Sequence, residues 1–344
     1  MSKLTVHIYT SKDQLPDRLM DGNFFHSERL FQVVRQTPRQ QPLLVTVEDE
    51  ECSVVAQMLA IVRYRSSWLP PYFYASCRIY GEGIYAEAKD SSERSFTDAK
   101  EKGSTSQNSQ AELFDMMIAT LRKHVDKRVL FVEVSDLSQK MFGYRSLRQN
   151  GFFPVKWMSI HNSLHSRTPE ERISNRKRER IEGAMRRGVT VCKVETDDDF
   201  RSFMRLLRHH NWLKPQRYVP DERFFSEFRN SSEGELAVTR YNGHIIGCSA
   251  TVYSQGQAFL WYTAFRRKTF LTLHPADVTV WMAIKRAQEK ACEHIYFMNV
   301  GLPFRRNRYR NFILSFGGKP VSTFRWFRCS IGWLNRILAW IYRD

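Results

Sequence analysis

Apolar residues in this chain recur with periods of two and of about 3.6, and polar or glycine-containing breaks separate the runs. At 26–35, HSERLFQVVR has the spacing of a short amphipathic helix. Residues 42–51 and 52–65 read as two strands around an acidic turn, a hairpin signal. Residues 71–87 form a further extended, aromatic segment. Residues 88–110 are polar with few apolar positions, which predicts a long exposed loop. A helical period returns at 111–125. A buried strand follows at 128–134, a helix at 136–151 closed by Gly151, and a strand at 152–164.

A second series opens near Thr168. Residues 168–188 predict one helix, with Thr168 and Glu171 at capping-box spacing and Gly188 as the stop. A strand at 189–195 and helices at 197–213 and 221–230 come next. Three strands follow at 234–241, 244–254 and 257–265, and Asn242-Gly243 fits a tight hairpin between the first two. The series closes with a helix at 274–291, a strand at 294–300, a helix at 305–316 and a strand at 319–329. The first half has a similar order. The predicted fold class is therefore α/β in the α+β sense: two copies of one unit, each a mixed, mostly antiparallel sheet flanked by helices. The boundaries are drawn at residues 1–165 and 166–330, with an amphipathic tail at 331–344.

A length of 344 residues accommodates two ordinary domains, and 42% hydrophobic with 26% charged residues describes a globular chain. Lys and Arg number 53 against 36 Asp and Glu, a formal charge of +17. That field favours a polyanionic partner: RNA, a nucleotide-linked precursor, an acidic carrier protein or an anionic membrane surface. The six cysteines are scattered, with no C-x-x-C pair and no histidine at zinc spacing, so they read as reduced thiols and no metal is expected. No secretory signal stands at the N-terminus, and no run approaches the roughly 18 apolar residues needed to span a bilayer.

The second series carries four motifs in order. Arg178-x-x-Ile181-x-x-Ala184-x-x-x-Gly188-Val189 comes first, then VPDERFFSEF with Pro220, Phe224 and Phe225. The helix and strand from Leu273 to Gly301 follow, and FILSFGG from Phe312 to Gly318 ends the set. Together these resemble the FemABX-like branch of the GNAT acyltransferases. The resemblance covers about half the chain, from Ser174 to Arg328, and the first half matches in layout. It implies tandem GNAT-like domains and transfer of an acyl or aminoacyl group to an amine or hydroxyl on an anionic cell-envelope or polysaccharide precursor. It also implies an acyl-CoA or aminoacyl-tRNA donor, with no tightly bound cofactor. Two departures stand out. The family signature has an oxyanion-stabilising lysine where this chain has Ile313. The segment before the 274–291 helix, RRKTFLTLHPA, lacks the glycines of a pyrophosphate-binding loop.

Candidate site residues follow from charge and position. Arg305, Arg306, Arg308 and Arg310 cluster with Tyr309 at the start of a predicted helix. That placement suits a bound phosphate or carboxylate, or else a solvated basic face. The 172–187 helix is strongly basic, and reads as a phosphate track or as an exposed face with pairs such as Glu182–Arg186. Arg178 stands within the matched motif. Tyr262 lies on a strand where the resemblance puts substrate-facing residues. His274 and Asp277 open the next helix, as cap and first-turn acid or as the base that takes a proton from an attacking amine or hydroxyl. The reading is an acyltransferase with catalytic candidates Asp277, His274 and Tyr262, and Arg178, Arg305, Arg306, Arg308 and Tyr309 for substrate. Its rival is a catalytically silent protein that binds RNA, anionic lipid or a protein partner. The tail places Ile331, Leu334, Leu338 and Ile341 on one helical face, with Trp333 and Trp340 on another. It reads as a peripheral membrane contact, or as packing onto the domain or a dimer partner. The expected location is the cytoplasm, with a peripheral position at the inner face of the membrane if the tail is a membrane contact.

Overall fold

In the computed structural model the described residues are 3–66, 72–86, 102–212, 218–266, 268–302 and 307–343. The first elements are β1 (Thr5–Tyr9), α1 (Glu28–Gln36), β2 (Gln40–Glu48), β3 (Val54–Ser66), β4 (Phe73–Tyr80) and β5 (Ile84–Tyr85). Then come α2 (Lys102–Val125), β6 (Phe131–Ser135), α3 (Tyr144–Gln149) and β7 (Phe153–Ser163). The chain continues through α4 (Pro169–Arg172), α5 (Asn175–Arg186), β8 (Thr190–Lys193), α6 (Asp197–Asn211) and α7 (Glu222–Arg229). It goes on through β9 (Gly234–Tyr241), β10 (His244–Ser254), β11 (Gln257–Phe265), α8 (Pro275–Glu289) and β12 (His294–Phe297). It ends with α9 (Arg308–Leu314), β13 (Lys319–Cys329) and α10 (Gly332–Ile341). Two compact units result, residues 1–156 with 323–344, and residues 157–322.

Each unit is a mixed, mostly antiparallel sheet with helices packed on it, as the apolar periods predict. In the first, β1, β2, β3 and β4 pair antiparallel in order, and β4 then runs parallel to β6. A parallel pair cannot be closed by a hairpin, so α2 supplies the crossover. Phe114, Met117, Ile118, Leu121 and Val125 recur at helical spacing on α2 and are buried against the sheet. The last strand of this unit comes from the far end of the chain, because β13 pairs antiparallel with β6 through Trp326↔Val134. Trp326 is fully buried in the same core.

The second unit repeats the pattern. β8, β9, β10 and β11 pair antiparallel, and β11 runs parallel to β12 after the α8 crossover. β12 pairs antiparallel with β7. The β11–β12 pairing covers four positions, Gln257↔His294 to Leu260↔Phe297. Against β10, Ala250 faces Tyr262 but Thr251 faces Leu260, so Trp261 is an extra residue, a bulge that bends β11 where its pairing with β12 ends. The Asn242-Gly243 turn has positive φ at both residues (46° and 77°), as the tight hairpin demands.

Four expectations change. The loop drawn over 88–110 falls partly outside the described residues, and its end is helical because α2 begins at Lys102. The helix drawn over 136–151 shortens to Tyr144–Gln149. Gly143 sits there at φ 62° with the Phe114 ring 2.5 Å from where a Cβ would stand, a conformation no helix interior has. The single helix over 168–188 is two. Ile173 turns into the core, and Ser174 restarts the helix by accepting from the Lys177 N–H at 3.3 Å. The tail is helical, but its half-buried face is Leu334 and Leu338, while Ile331 and Ile341 are exposed with the tryptophans.

Candidate active site in the second unit

The inner stripe of α5 is Lys177, Ile181 and Ala184, at i, i+4 and i+7. Two of these are ordinary core residues, whereas Lys177 carries an ammonium into a buried position. It is accommodated by an ion pair, Lys177 Nζ to Asp277 Oδ1 at 2.9 Å, with both side chains buried. Two aromatic faces complete its surroundings, the Phe316 ring at 3.6 Å and the Phe312 ring at 4.8 Å from Nζ. Unpaired burial of either charge would be costly, and the carboxylate and the ring quadrupoles offset that cost.

Asp277 stands in the first turn of α8, where the helix dipole favours an acid. Its second oxygen lies 3.9 Å from Nδ1 of His274. His274 precedes Pro275 at the helix start and occupies the left-handed region, φ 44° and ψ 49°, without a side-chain cap bond. A non-glycine residue held there costs on the order of 1 kcal/mol, so the surrounding structure fixes its position.

These groups line a cavity of about 420 Å³ between the start of α5, the start of α8 and α9. Arg176 and Arg180 from α5, Leu271 before α8, and Phe312 and Ser315 after them complete the wall. Neither arginine makes an ion pair among the described residues. The cavity therefore holds three cations against one carboxylate, at the positive end of a fifteen-residue helix. Its chemistry suits an anionic ligand, with an imidazole beside it to exchange a proton.

Of the catalytic candidates, the structure brings His274 and Asp277 together here. Tyr262 lies elsewhere on β11, its ring 5.2 Å from that of Phe225. Arg178 clasps the preceding helix by donating to the Glu170 carbonyl. Arg308 is exposed at the start of α9, and Tyr309 packs near Phe312 at 6.4 Å. None of these four lines the cavity. Arg310 is buried and donates to the Leu302 carbonyl at 2.9 Å. Arg305 and Arg306 lie outside the described residues. Ile313, at the signature position, is fully buried in the unit's core. Lys177, Arg176 and Arg180 were read from sequence as part of a basic helix face. The signal that separates Lys177 from its neighbours is its place in the Ile181–Ala184 stripe. The glycine pair ending the signature is explained by close approach. A Cβ at Gly317 would stand 2.5 Å from Cβ of Arg172, and one at Gly318 2.6 Å from Ile160. No group of three His, Cys, Asp or Glu among the described residues is placed to hold a metal.

Comparison with known proteins agrees with this architecture. No protein of curated function matches the chain in sequence. Residues 172–306 match the family model of the acetyltransferase (GNAT) domain, a span that contains α5, α8 and most of the cavity wall. FemX superposes with a TM-score of 0.59 at 10% identity, over 93% of this chain and 94% of that one. The C-terminal domain of a candidate lysylphosphatidylglycerol synthetase from Agrobacterium fabrum gives 0.54 at 12% identity, over 92% and 94%. L-PGS from Bacillus licheniformis gives 0.53 at 12% identity, over 95% and 100%. At such identities the structural likeness is one of fold. With the family match it bears out the resemblance read from the four motifs: residues 172–306 match the acetyltransferase (GNAT) domain model, and the chain has a fold it shares with FemX.

Proposed function

We propose that the chain transfers an acyl or aminoacyl group to an amine or hydroxyl, and that the α5–α8 cavity holds the anionic part of donor or acceptor. The carrying observation is Arg176 and Arg180, without acidic partners among the described residues, lining one cavity with Lys177, Asp277 and His274. An attacking N–H or O–H forms the new bond to the donor carbonyl carbon as the carbonyl becomes an oxyanion. His274 accepts the nucleophile's proton, and Asp277 fixes the charge around it. The Lys177 ammonium stabilises the oxyanion, supplying beside α9 the cation that Ile313 does not. Collapse breaks the bond to the carrier and returns the proton to the leaving group. Acyl-CoA and aminoacyl-tRNA both fit as donors, since each carries phosphate on the acyl carrier. An envelope precursor is the proposed acceptor, in line with the lipid named for the synthetase neighbours.

The test is a transfer assay read by mass spectrometry, with acetyl-CoA, longer acyl-CoAs and aminoacyl-tRNA against amine- and hydroxyl-bearing envelope precursors. Arg176→Ala with Arg180→Ala raises KM for the phosphate-bearing substrate about tenfold or more while the fold persists. KM unchanged in that variant overturns the site. No turnover with any donor, together with stabilisation by RNA or anionic vesicles alone, favours the silent binding protein, the reading to which Ile313 points.

A further inference from the structure

Helix α10 belongs to the first unit and is built inside out for a helix in water. Its half-buried side is Leu334, Asn335, Leu338 and Ala339. Asn335 anchors it, donating to the Gly151 carbonyl at 2.9 Å and accepting from the Cys329 N–H at 2.8 Å. Tyr342, just beyond the helix, stacks on Phe153 with ring centroids 5.8 Å apart and planes at 9°. The opposite side should be polar, yet it presents Trp333, Ile337, Trp340 and Ile341 at 62, 47, 71 and 57% exposure. Positions 333, 337 and 340 stand at i, i+4 and i+7, one continuous apolar stripe. Such a stripe marks an interaction surface rather than scattered surface residues.

Charge selects the occupant. Between Cys329 and Arg343 there is no acidic residue, and Arg336 and Arg343 are exposed. The helix starts two residues beyond Ser330, whose N–H donates to the Leu130 carbonyl at 2.9 Å. Leu130 lines a second cavity, about 580 Å³, together with Arg39, Arg65, Lys127 and Arg128, and no acidic side chain is in its wall among the described residues. Phe73 and Tyr64 line the same cavity and are 82 and 46% exposed. Exposed Trp and Ile flanked by arginines, next to an aromatic hollow lined by four cations, match the depth profile of a bilayer interface with anionic headgroups. A protein partner would have to supply acidic groups around an apolar centre, which is a narrower fit.

We infer that the outer face of α10, with the basic rim beside it, docks the protein on an anionic membrane surface. The contact lies in the first unit and is independent of the transfer reading, because vesicle binding needs no acyl donor. The full chain is sedimented with phosphatidylglycerol/phosphatidylcholine vesicles and with pure phosphatidylcholine vesicles. Binding to the anionic vesicles is expected to exceed binding to the neutral ones at least about tenfold and to weaken with salt. Trp333→Ser with Trp340→Ser lowers vesicle binding about tenfold or more without changing the circular dichroism spectrum or Tm. If that variant misfolds, Ile337→Glu serves the same purpose on a position 47% exposed. Equal binding to neutral and anionic vesicles, or no binding to either, overturns the inference. So does a wild-type dimer in light scattering that the Trp variant dissolves, since a second copy would then cover the stripe.

Discussion

Lys177 shows how a single position ties the core to the chemistry. Its ammonium is buried with the Asp277 carboxylate at 2.9 Å, so removing one partner strands the other. Lys177→Met is expected to cost about 3 kcal/mol, while Lys177→Met with Asp277→Leu recovers most of that loss and leaves the cavity without activity. Chemical denaturation of the two variants checks this. A double variant no more stable than the single would show that the pair is not coupled. His26, in the first unit, meets burial the other way, by staying neutral. It is fully buried, and its Nδ1 accepts from the Leu59 N–H at 3.1 Å. Burial drives its pKa from 6.5 down to about 3, so the folded state holds it neutral. Below pH 6.5 the unfolded chain binds a proton that the folded one refuses. Stability from this group is thus complete above pH 6.5 and falls as pH drops toward 3. Between pH 6 and 4.5 the wild type should lose about 1.4 kcal/mol per pH unit more than His26→Gln does. Parallel pH profiles for the two proteins would show that His26 is already protonated in the fold.

At the scale of elements, the break between α4 and α5 positions the site. Ser174 caps α5, and Gly317 lets the following loop close against Arg172, with φ 82° and no room for a Cβ. Ser174→Ala should cost about 1 kcal/mol, the usual worth of an N-cap. Gly317→Ala combines backbone strain with a clash and should cost about 2–3 kcal/mol. Thermal melts of the two variants rank these effects, and equal Tm values would show that the close approach is not required. Most strands and helices were legible in the chain because their apolar periods are strong, as in α2 and β10. The α4–α5 break was not, because Thr168 and Gly188 read as the start and stop of one helix, and a lone Ile173 between charged residues did not announce itself as a core anchor. Of the site, His274 and Asp277 were legible from their place before and within α8. Lys177 was not, since seven basic residues share the 172–187 segment and charge outweighed its stripe position. Arg178 and Arg310 looked available for ligands, yet each meets a backbone carbonyl, a partner that no side-chain pattern announces.

At the scale of the whole molecule, the first unit is completed by residues that follow the entire second unit in the chain. The β6–β13 pairing joins Phe131 to Cys329 and Val134 to Trp326, so its loop closure spans almost 200 residues. Such a contact is entropically expensive to form and is held by what it buries. Trp326 is wholly buried, packed edge-on against Tyr144 at 5.2 Å and Phe324 at 5.9 Å. Two ion pairs flank it, Arg325 to Glu133 at 3.1 Å and Arg328 with Asp126. Trp326→Ala therefore removes a large core side chain and weakens the last strand of the first sheet together. It should cost about 3–5 kcal/mol. The loss should fall on the unit that holds the tryptophan, not on the segment nearest in sequence. Hydrogen exchange of the full-length variant is expected to show lost protection at Val132, Val134, Ile79 and Cys77. Amides of β10 and α8 in the second unit should keep theirs. Uniform loss across both units would mean that they unfold as one cooperative body. Loss confined to 319–343 would mean that β13 is an appendage to a sheet already complete without it.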